Sequence, residues 1–140
     1  MKLKIYIMHS EKIDYKSILY KPLLESNIGT DNILILPMSK RFESTYIKDL
    51  LKDSDIVICD LTNSNFFLKT EIKYANKLNK KVYYYINMND KNKKKYKDYV
   101  EYCDTEDFIN KVSNLINSLN KKEIILKRDN IYTLGKLNID

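Results

Sequence analysis

Short apolar runs alternate with amphipathic segments along this chain, and the pattern predicts strands separated by helices. Four runs rich in β-branched and aromatic residues read as strands (2–8, 32–36, 55–61 and 81–86), and a short fifth strand ends at Cys103. Apolar residues spaced three and four apart predict helices over 43–52, 65–79 and 105–120, and Pro22 suits the first turn of a short helix over 21–26. Residues 27–30, which include Gly29, predict a turn.

The order of these elements predicts one flavodoxin-like, doubly wound α/β domain. Apolar strands alternating with helices indicate a mostly parallel sheet with helices on both faces. Right-handed crossovers then give five strands in the order 2-1-3-4-5. We assign this domain to residues 1–121 and residues 122–140 to a C-terminal extension. Within the extension, the runs EIILK and IYTL flank a turn at Asp129-Asn130 and predict a hairpin or an arm, a candidate for packing on a partner subunit.

Composition indicates a soluble globular domain. The chain has 140 residues, of which 44% are hydrophobic and 31% charged, and this length suffices for a substantial core. Cys59 falls inside an apolar strand, and its distance from Cys103 matches no metal or redox motif. Met1–Lys4 leads directly into a strand, and no apolar run approaches the ~20 residues of a membrane span. We therefore expect no signal peptide, no membrane contact and a cytoplasmic location.

The net charge of +6 permits binding of an anionic ligand or of nucleic acid. Much of the excess lies in one run, residues 91–95 (KNKKK). Runs of like charge are usually solvated segments. We therefore expect a solvated loop here and no nucleic-acid partner.

One carboxylate in the helix predicted over 65–79 lies in an otherwise apolar row. The members of this row recur at the spacing of one helical face: Phe67, Glu71, Ala75 and Leu78. An ionised carboxylate is costly to bury without partners, so this position calls for an explanation. In the alternative, the helix is rotated by one residue and Glu71 lies at the flank of a buried stripe formed by Leu68, Ile72 and Ala75.

Polar residues follow the predicted first and third strands, whose exits meet at the switch point of a doubly wound sheet, where ligands bind. We expect six side chains to surround Glu71 there: Tyr6, His9, Ser10, Asp60, Asn63 and Asn65. Asp60 is equally well explained as a helix cap or turn former. His9 fits an edge residue of the pocket better than a catalyst.

Several kinds of chemistry lack their sequence signatures. Neither Gly29 nor Gly135 belongs to a phosphate-binding motif. A single histidine without a cysteine cluster predicts no metal site, and we expect no cofactor. A Ser-His-acid triad would need His9 and Ser10, which as neighbours on a strand point in opposite directions. A buried glutamate with hydroxyl and amide neighbours instead suits attack at an anomeric carbon, or stabilisation of an oxocarbenium-like transition state.

The chain resembles the nucleoside 2-deoxyribosyltransferase-like superfamily over residues 2–119 and, more distantly, Toll/interleukin-1 receptor (TIR) domains. The segment IKDLLKDSDIVICDLT is similar to a helix and the strand after it in the transferases. The segment FFLKTEIKYANKLNKKVYYYI is similar to the next helix and strand of the family, and Glu71 lies at the position of its catalytic glutamate. The opening strand KIYI fits both families, and His9-Ser10 followed by Asp14 is more TIR-like. The resemblance implies that Tyr6 hydrogen-bonds Glu71 and that Asp60 contacts the base or the sugar.

The transferase pattern has glycines before its glutamate, whereas this chain has Asn65-Phe66-Phe67-Leu68. The resemblance implies cleavage or exchange of the N-glycosidic bond of a nucleoside or nucleotide, with Glu71 as the nucleophile. TIR-like cleavage of NAD and a non-catalytic TIR-like signalling or nucleotide-binding module are the alternatives, and the missing glycines favour the latter. Either family implies a homo-oligomer.

Overall fold

The computed structural model describes residues 2–10, 15–37 and 44–128. Its sheet has five strands: β1 (Lys4–Met8), β2 (Ile33–Ile35), β3 (Ile56–Asp60), β4 (Val82–Asn87) and β5 (Tyr99–Tyr102). All neighbouring strands are parallel, in the order β2-β1-β3-β4-β5. The predicted flavodoxin-like fold and strand order are therefore confirmed.

Helices connect the strands in the described part of the chain. They are α1 (Lys21–Glu25), α2 (Asn27–Asp31), α3 (Ser44–Asp53), α4 (Phe66–Lys77), α5 (Thr105–Ser118) and α6 (121–128). One π-helical turn, Lys16–Tyr20, precedes α1. A 3₁₀ turn, Lys93–Lys95, lies in the basic run, where Lys93 pairs with Glu101 at 2.9 Å and Lys91, Lys94 and Lys95 are exposed.

The side chains of the sheet alternate between two apolar clusters, one on each face. Ile5, Ile7 and Ile58 belong to the cluster that includes Phe108 and Val112 of α5. On the opposite face, Tyr6, Met8, Val57 and Cys59 pack with α3 and α4. A strand buried on both faces reads as an almost continuous apolar run, which is why β3 was predictable.

Two local predictions were wrong. Residues 27–31 form helix α2 and not a turn. A side chain at Gly29 would meet the carbonyl oxygens of Leu23 and Leu24 at 2.7 and 2.6 Å, so the glycine allows α2 to approach α1 closely. The run EIILK lies in helix α6 and not in a strand, and Ile125 is buried in the α5-side cluster. The rest of the predicted hairpin, 129–140, lies outside the described residues.

Within residues 2–10, 15–37 and 44–128, every helix is too short or too polar to cross a bilayer.

Candidate functional site

The exits of β1 and β3 are adjacent at the carboxyl edge of the sheet. Met8 is the register partner of Cys59, so His9 and Ser10 leave β1 beside the point where Asp60 ends β3. Both His9 and Ser10 are fully buried. This is the switch point at which doubly wound sheets bind ligands.

Helix α4 begins at the same edge. The side-chain oxygen of Asn65 accepts a hydrogen bond from the Leu68 N–H at 3.0 Å and caps the helix. Asn63 adopts a left-handed backbone (φ 53°), which asparagine tolerates, and its N–H donates to Asp90 at 2.9 Å. Asn63 is exposed, and the structure gives both asparagines a local role in turning the chain from β3 into α4.

Glu71 belongs to the buried face of α4. It is 4% exposed, and Leu68 and Ala75 are fully buried on the same side of the helix. Phe67, predicted to share this stripe, is 39% exposed, and Phe66 is 76% exposed. Leu68 and Ala75 of the rotated stripe are thus buried and Ile72 is half-buried, but Glu71, expected at the flank of that stripe, is itself buried.

Glu71 and Tyr6 form a buried pair. The Tyr6 hydroxyl donates to Glu71 Oε2 at 2.6 Å, and Tyr6 is fully buried. Burial, and then the Glu71 charge and this hydrogen bond, raise the pKa of Tyr6 far above its ordinary value. Tyr6 therefore stays a neutral donor to the Glu71 carboxylate, in the arrangement that the resemblance implies.

His9 belongs to a buried aromatic group beside this pair. Its Nε2 lies 2.6 Å from the Tyr20 hydroxyl, which donates to the Pro37 carbonyl oxygen at 2.7 Å. Its Nδ1 lies 3.0 Å from the carbonyl oxygen of Ser10. Burial, followed by Tyr15 and Glu71, raises the pKa of Tyr20. Glu71 therefore acts electrostatically on the group to which His9 is bonded.

Asp60 is buried on the α5 side of the sheet, away from the Tyr6–Glu71 pair. Its carboxylate accepts hydrogen bonds from the Thr62 N–H and hydroxyl at 3.1 and 2.6 Å and from the Tyr102 hydroxyl at 2.7 Å. Burial raises the pKa of Asp60, and these hydrogen bonds only partly oppose it. The Thr62 hydroxyl also accepts from the Asn87 N–H at 2.9 Å, so the network joins the ends of β3, β4 and β5.

A cavity of about 260 Å³ opens beside this network. Its lining includes Asp60, Thr62 and Tyr102, with Leu19 and Phe108 as apolar walls. Glu71 and Tyr6 do not line it. The helical turn after β1 contributes Ile18 and Leu19 to the cavity, and its next residue, Tyr20, belongs to the aromatic group of His9.

Five of the seven predicted residues fall into three groups, and the other two, Asn63 and Asn65, turn the chain from β3 into α4. Tyr6 and Glu71 are bonded to each other, His9 and Ser10 are buried at the exit of β1, and Asp60 lines the cavity on the other face. Tyr20 and Tyr102 complete two of these groups, and the sequence pattern missed both. Twelve tyrosines in the chain leave no compositional signal by which to choose them. In the described ranges, His, Cys, Asp and Glu form no group of three or more that could hold a metal ion.

No protein-family model matches the chain, and no curated protein matches it in sequence. Among solved structures, the fold is similar to that of the CMP N-glycosidase BcmB of Clostridium botulinum. The two share 14% sequence identity, with a TM-score of 0.56 over 79% of this chain and 98% of that chain. A likeness at this identity supports a common fold.

Proposed function

We propose that this protein breaks an N-glycosidic bond of a nucleotide or nucleoside, with Glu71 as the nucleophile. The observation that carries the proposal is the buried Tyr6–Glu71 hydrogen bond of 2.6 Å at the switch point. The phenol of Tyr6 holds the Glu71 carboxylate in place, and burial removes most of the water around that carboxylate. Both effects favour attack of the carboxylate on an electron-poor carbon. The fold likeness to a CMP N-glycosidase supports the same class of reaction.

In the proposed reaction, a Glu71 carboxylate oxygen forms a bond to the anomeric carbon while the bond from that carbon to the base nitrogen breaks. The base leaves with the bonding electron pair and takes up a proton. Water, or a second base, then displaces the glutamate from the glycosyl–enzyme ester. The hydrogen bond from Tyr6 holds the carboxylate in one orientation throughout.

The proposed substrate is phosphorylated, because a net charge of +6 favours anionic ligands. Nucleoside monophosphates and NAD both satisfy this condition, the latter through the TIR-like alternative. We further propose that His9, Ser10, Asn63 and Asn65 contact the substrate, whereas Asp60, predicted with them, faces the cavity on the other side of the sheet and belongs to the second candidate below. Self-association is also proposed, and light scattering of the purified chain tests it: a single monomeric species would contradict it.

The assay is base release, followed by chromatography, from nucleoside monophosphates, deoxynucleosides and NAD in separate incubations. We expect release from at least one phosphorylated substrate and a loss of more than about 1000-fold in Glu71→Gln. Tyr6→Phe removes only the donor and should cost roughly 10- to 1000-fold. Tyr85→Phe is the matched control, since Tyr85 is a buried tyrosine of β4 in the opposite cluster, and it should retain activity.

A nucleotide-binding module without turnover is the second candidate. The 260 Å³ cavity favours it, because its lining includes Asp60 and Tyr102 and leaves out Glu71. Equal base release by the wild type and Glu71→Gln, or none from any substrate, would contradict the enzymatic proposal. Nucleotide binding lost in Asp60→Asn but retained in Glu71→Gln would then support the binding module.

A further inference from the structure

Asp60 is a buried carboxylate that has hydrogen-bond donors around it but no cation. It is 3% exposed, and it takes part in none of the ion pairs of the described residues. Burial raises the pKa of its carboxyl, hydrogen bonds from Thr62 and Tyr102 oppose this rise, and the negative charge of Asp90 adds to it. Because a buried charge is costly without an opposite charge, the described part of the fold leaves Asp60 without a counter-ion.

The hydroxyl protons around Asp60 are directed at its carboxylate. Thr62 donates its hydroxyl proton at 2.6 Å and Tyr102 donates its own at 2.7 Å, and each hydroxyl has only one proton. Together with the Thr62 N–H at 3.1 Å, these donors fill three of the about four acceptor positions of a carboxylate. Thr62 and Tyr102 therefore have no proton left for a ligand, whereas Asp60 can accept one further hydrogen bond.

A second carboxylate lines the cavity beside Asp60. Asp104 caps α5 through one oxygen, which accepts from the Asp107 N–H at 2.8 Å. Among the described residues, the lining includes no lysine, arginine or histidine, and its amide and remaining hydroxyl, those of Asn87 and Thr105, are neutral. The amino end of α5 adds only about half a positive charge. The cavity is therefore negative, although the chain as a whole carries a charge of +6.

We propose that this cavity is a binding site for a small organic cation, an ammonium or amidinium group on an apolar body. The N–H groups of the cation donate to Asp60 and Asp104 and supply the missing counter-charge. The apolar body packs on walls formed by Ile18, Leu19 and Phe108.

The size and charge of the cavity limit what it accepts. Its volume of about 260 Å³ lies just below the roughly 300–1,000 Å³ of sites for larger ligands, so it fits a body of about one ring. The two carboxylates repel a phosphate group, so a nucleotide would place only its base here. The site lies on the α5 face of the sheet and needs no step of the reaction proposed for Glu71.

The test is titration of the full-length, ¹⁵N-labelled protein with benzamidine at neutral pH, followed by NMR. Benzamidine carries an amidinium on one ring, benzamide has nearly the same shape without the charge, and benzoate has the opposite charge. We expect benzamidine to bind at least about tenfold more tightly than benzamide, and benzoate not to bind. No binding of benzamidine, or equal binding of benzamidine and benzamide, would overturn the proposal.

Two variants test the role of the carboxylates. Asp60→Asn keeps the shape of the side chain and should weaken benzamidine binding at least about tenfold, with little change for benzamide. Asp104→Asn retains a helix cap and should weaken benzamidine binding by a smaller factor, because Asp104 is exposed. Glu106→Gln is the matched control: it removes an exposed charge from the first turn of α5, outside the lining, and should leave the Kd within about twofold. Unchanged binding in Asp60→Asn would overturn the proposal.

The position of the cation separates this site from the proposed catalytic one. The backbone amide signals of Tyr102 and Thr105 should shift on titration, and that of Tyr6 should not. Glu71→Gln should bind benzamidine as tightly as the wild type, and this result would support the site whatever the base-release assay shows. Loss of binding in Glu71→Gln, with shifts centred on Tyr6, would place the cation at the Tyr6–Glu71 pair and overturn the proposal.

Discussion

Two buried carboxylates, Asp60 at the end of β3 and Glu71 on α4, have different partners. Glu71 has a phenol donor and lies within the field of the His9 cluster, whereas Asp60 is held by Thr62 and Tyr102. Hydrogen bonds offset only part of the desolvation of Asp60, because the pKa of its carboxyl is raised on balance. Ionisation of Asp60 therefore lowers the stability of the fold at neutral pH.

The sign follows from proton linkage. Between the pKa of Asp60 in the unfolded chain (about 4) and its higher pKa in the fold, the folded protein binds more protons, so stability falls as the pH rises through this window. Asp60→Asn removes the ionisation and keeps an oxygen for Thr62. From pH 4.5 to pH 7, the free energy of unfolding of Asp60→Asn should rise relative to that of the wild type. The rise should be about 1.4 kcal/mol for each unit by which the pKa of Asp60 in the fold exceeds its pKa in the unfolded chain.

Urea unfolding at both pH values measures this gain. Asp49→Asn, on the exposed surface of α3, is the control and should differ from the wild type by the same amount at each pH. A difference between Asp60→Asn and the wild type that does not change with pH would contradict the raised pKa.

Among single residues, the pairing of Tyr6 with Glu71 was predictable, whereas the hydrogen-bond partners of His9 and Asp60 were not. The i, i+4 spacing places Glu71 on a buried face, and the resemblance links it to Tyr6. The partners of Asp60 and His9 are Tyr102 and Tyr20, which lie 42 and 11 residues away along the chain. Such pairs depend on how β5 and the turn after β1 pack, and local patterns contain no information about that packing.

Helix α4, which carries Glu71, begins at the side-chain cap of Asn65. Asn65→Ala should cost about 1 kcal/mol of stability, because the Leu68 N–H loses its acceptor. Asn65→Asp keeps an acceptor and adds a negative charge near the positive end of the helix dipole, so it should cost nothing. Thermal unfolding of the two variants checks this, and equal losses would contradict the capping role.

The base-release rate of Asn65→Asp then separates capping from substrate binding. Unchanged stability with more than a tenfold loss of activity would indicate that the amide N–H₂ of Asn65 contacts the substrate. Unchanged stability and unchanged activity would remove Asn65 from the proposed site and leave it as a cap alone.

Elements with a clear period were predictable, and short elements determined by tertiary contacts were not. The strand residues Ile56–Asp60 and the amphipathic α5 were located within one or two residues by their patterns. Helix α2 was read as a turn because asparagine and glycine usually favour one; its N-cap, Ser26, accepts from the Ile28 N–H at 3.2 Å. The run EIILK has the β-branched residues of a strand, yet it is helical and buries Ile125.

Over the whole molecule, α6 joins the end of the described chain to the first strand. Arg128 donates to the Asp55 carboxylate at 3.0 Å, and the same carboxylate oxygen accepts from the Lys4 N–H at 2.8 Å. The Asp55 side chain is 2% exposed, so this ion pair is more than a solvated surface contact. Ile125, one turn earlier, is buried in the cluster that covers one face of the sheet. Residues 121–128 therefore contribute to the core of the α/β domain.

Replacing one buried side chain in α6 tests this role. Ile125→Ala should destabilise the fold by roughly 2–4 kcal/mol, because it leaves a cavity against the sheet. Leu126→Ala makes the same kind of truncation at the next residue, which is 50% exposed, and should cost less than about 0.5 kcal/mol. Urea unfolding of both variants gives the comparison. If α6 acts as an arm for a partner subunit, Ile125→Ala will alter the oligomeric state in light scattering with no loss of monomer stability; if it is part of the core, stability falls whatever the oligomeric state.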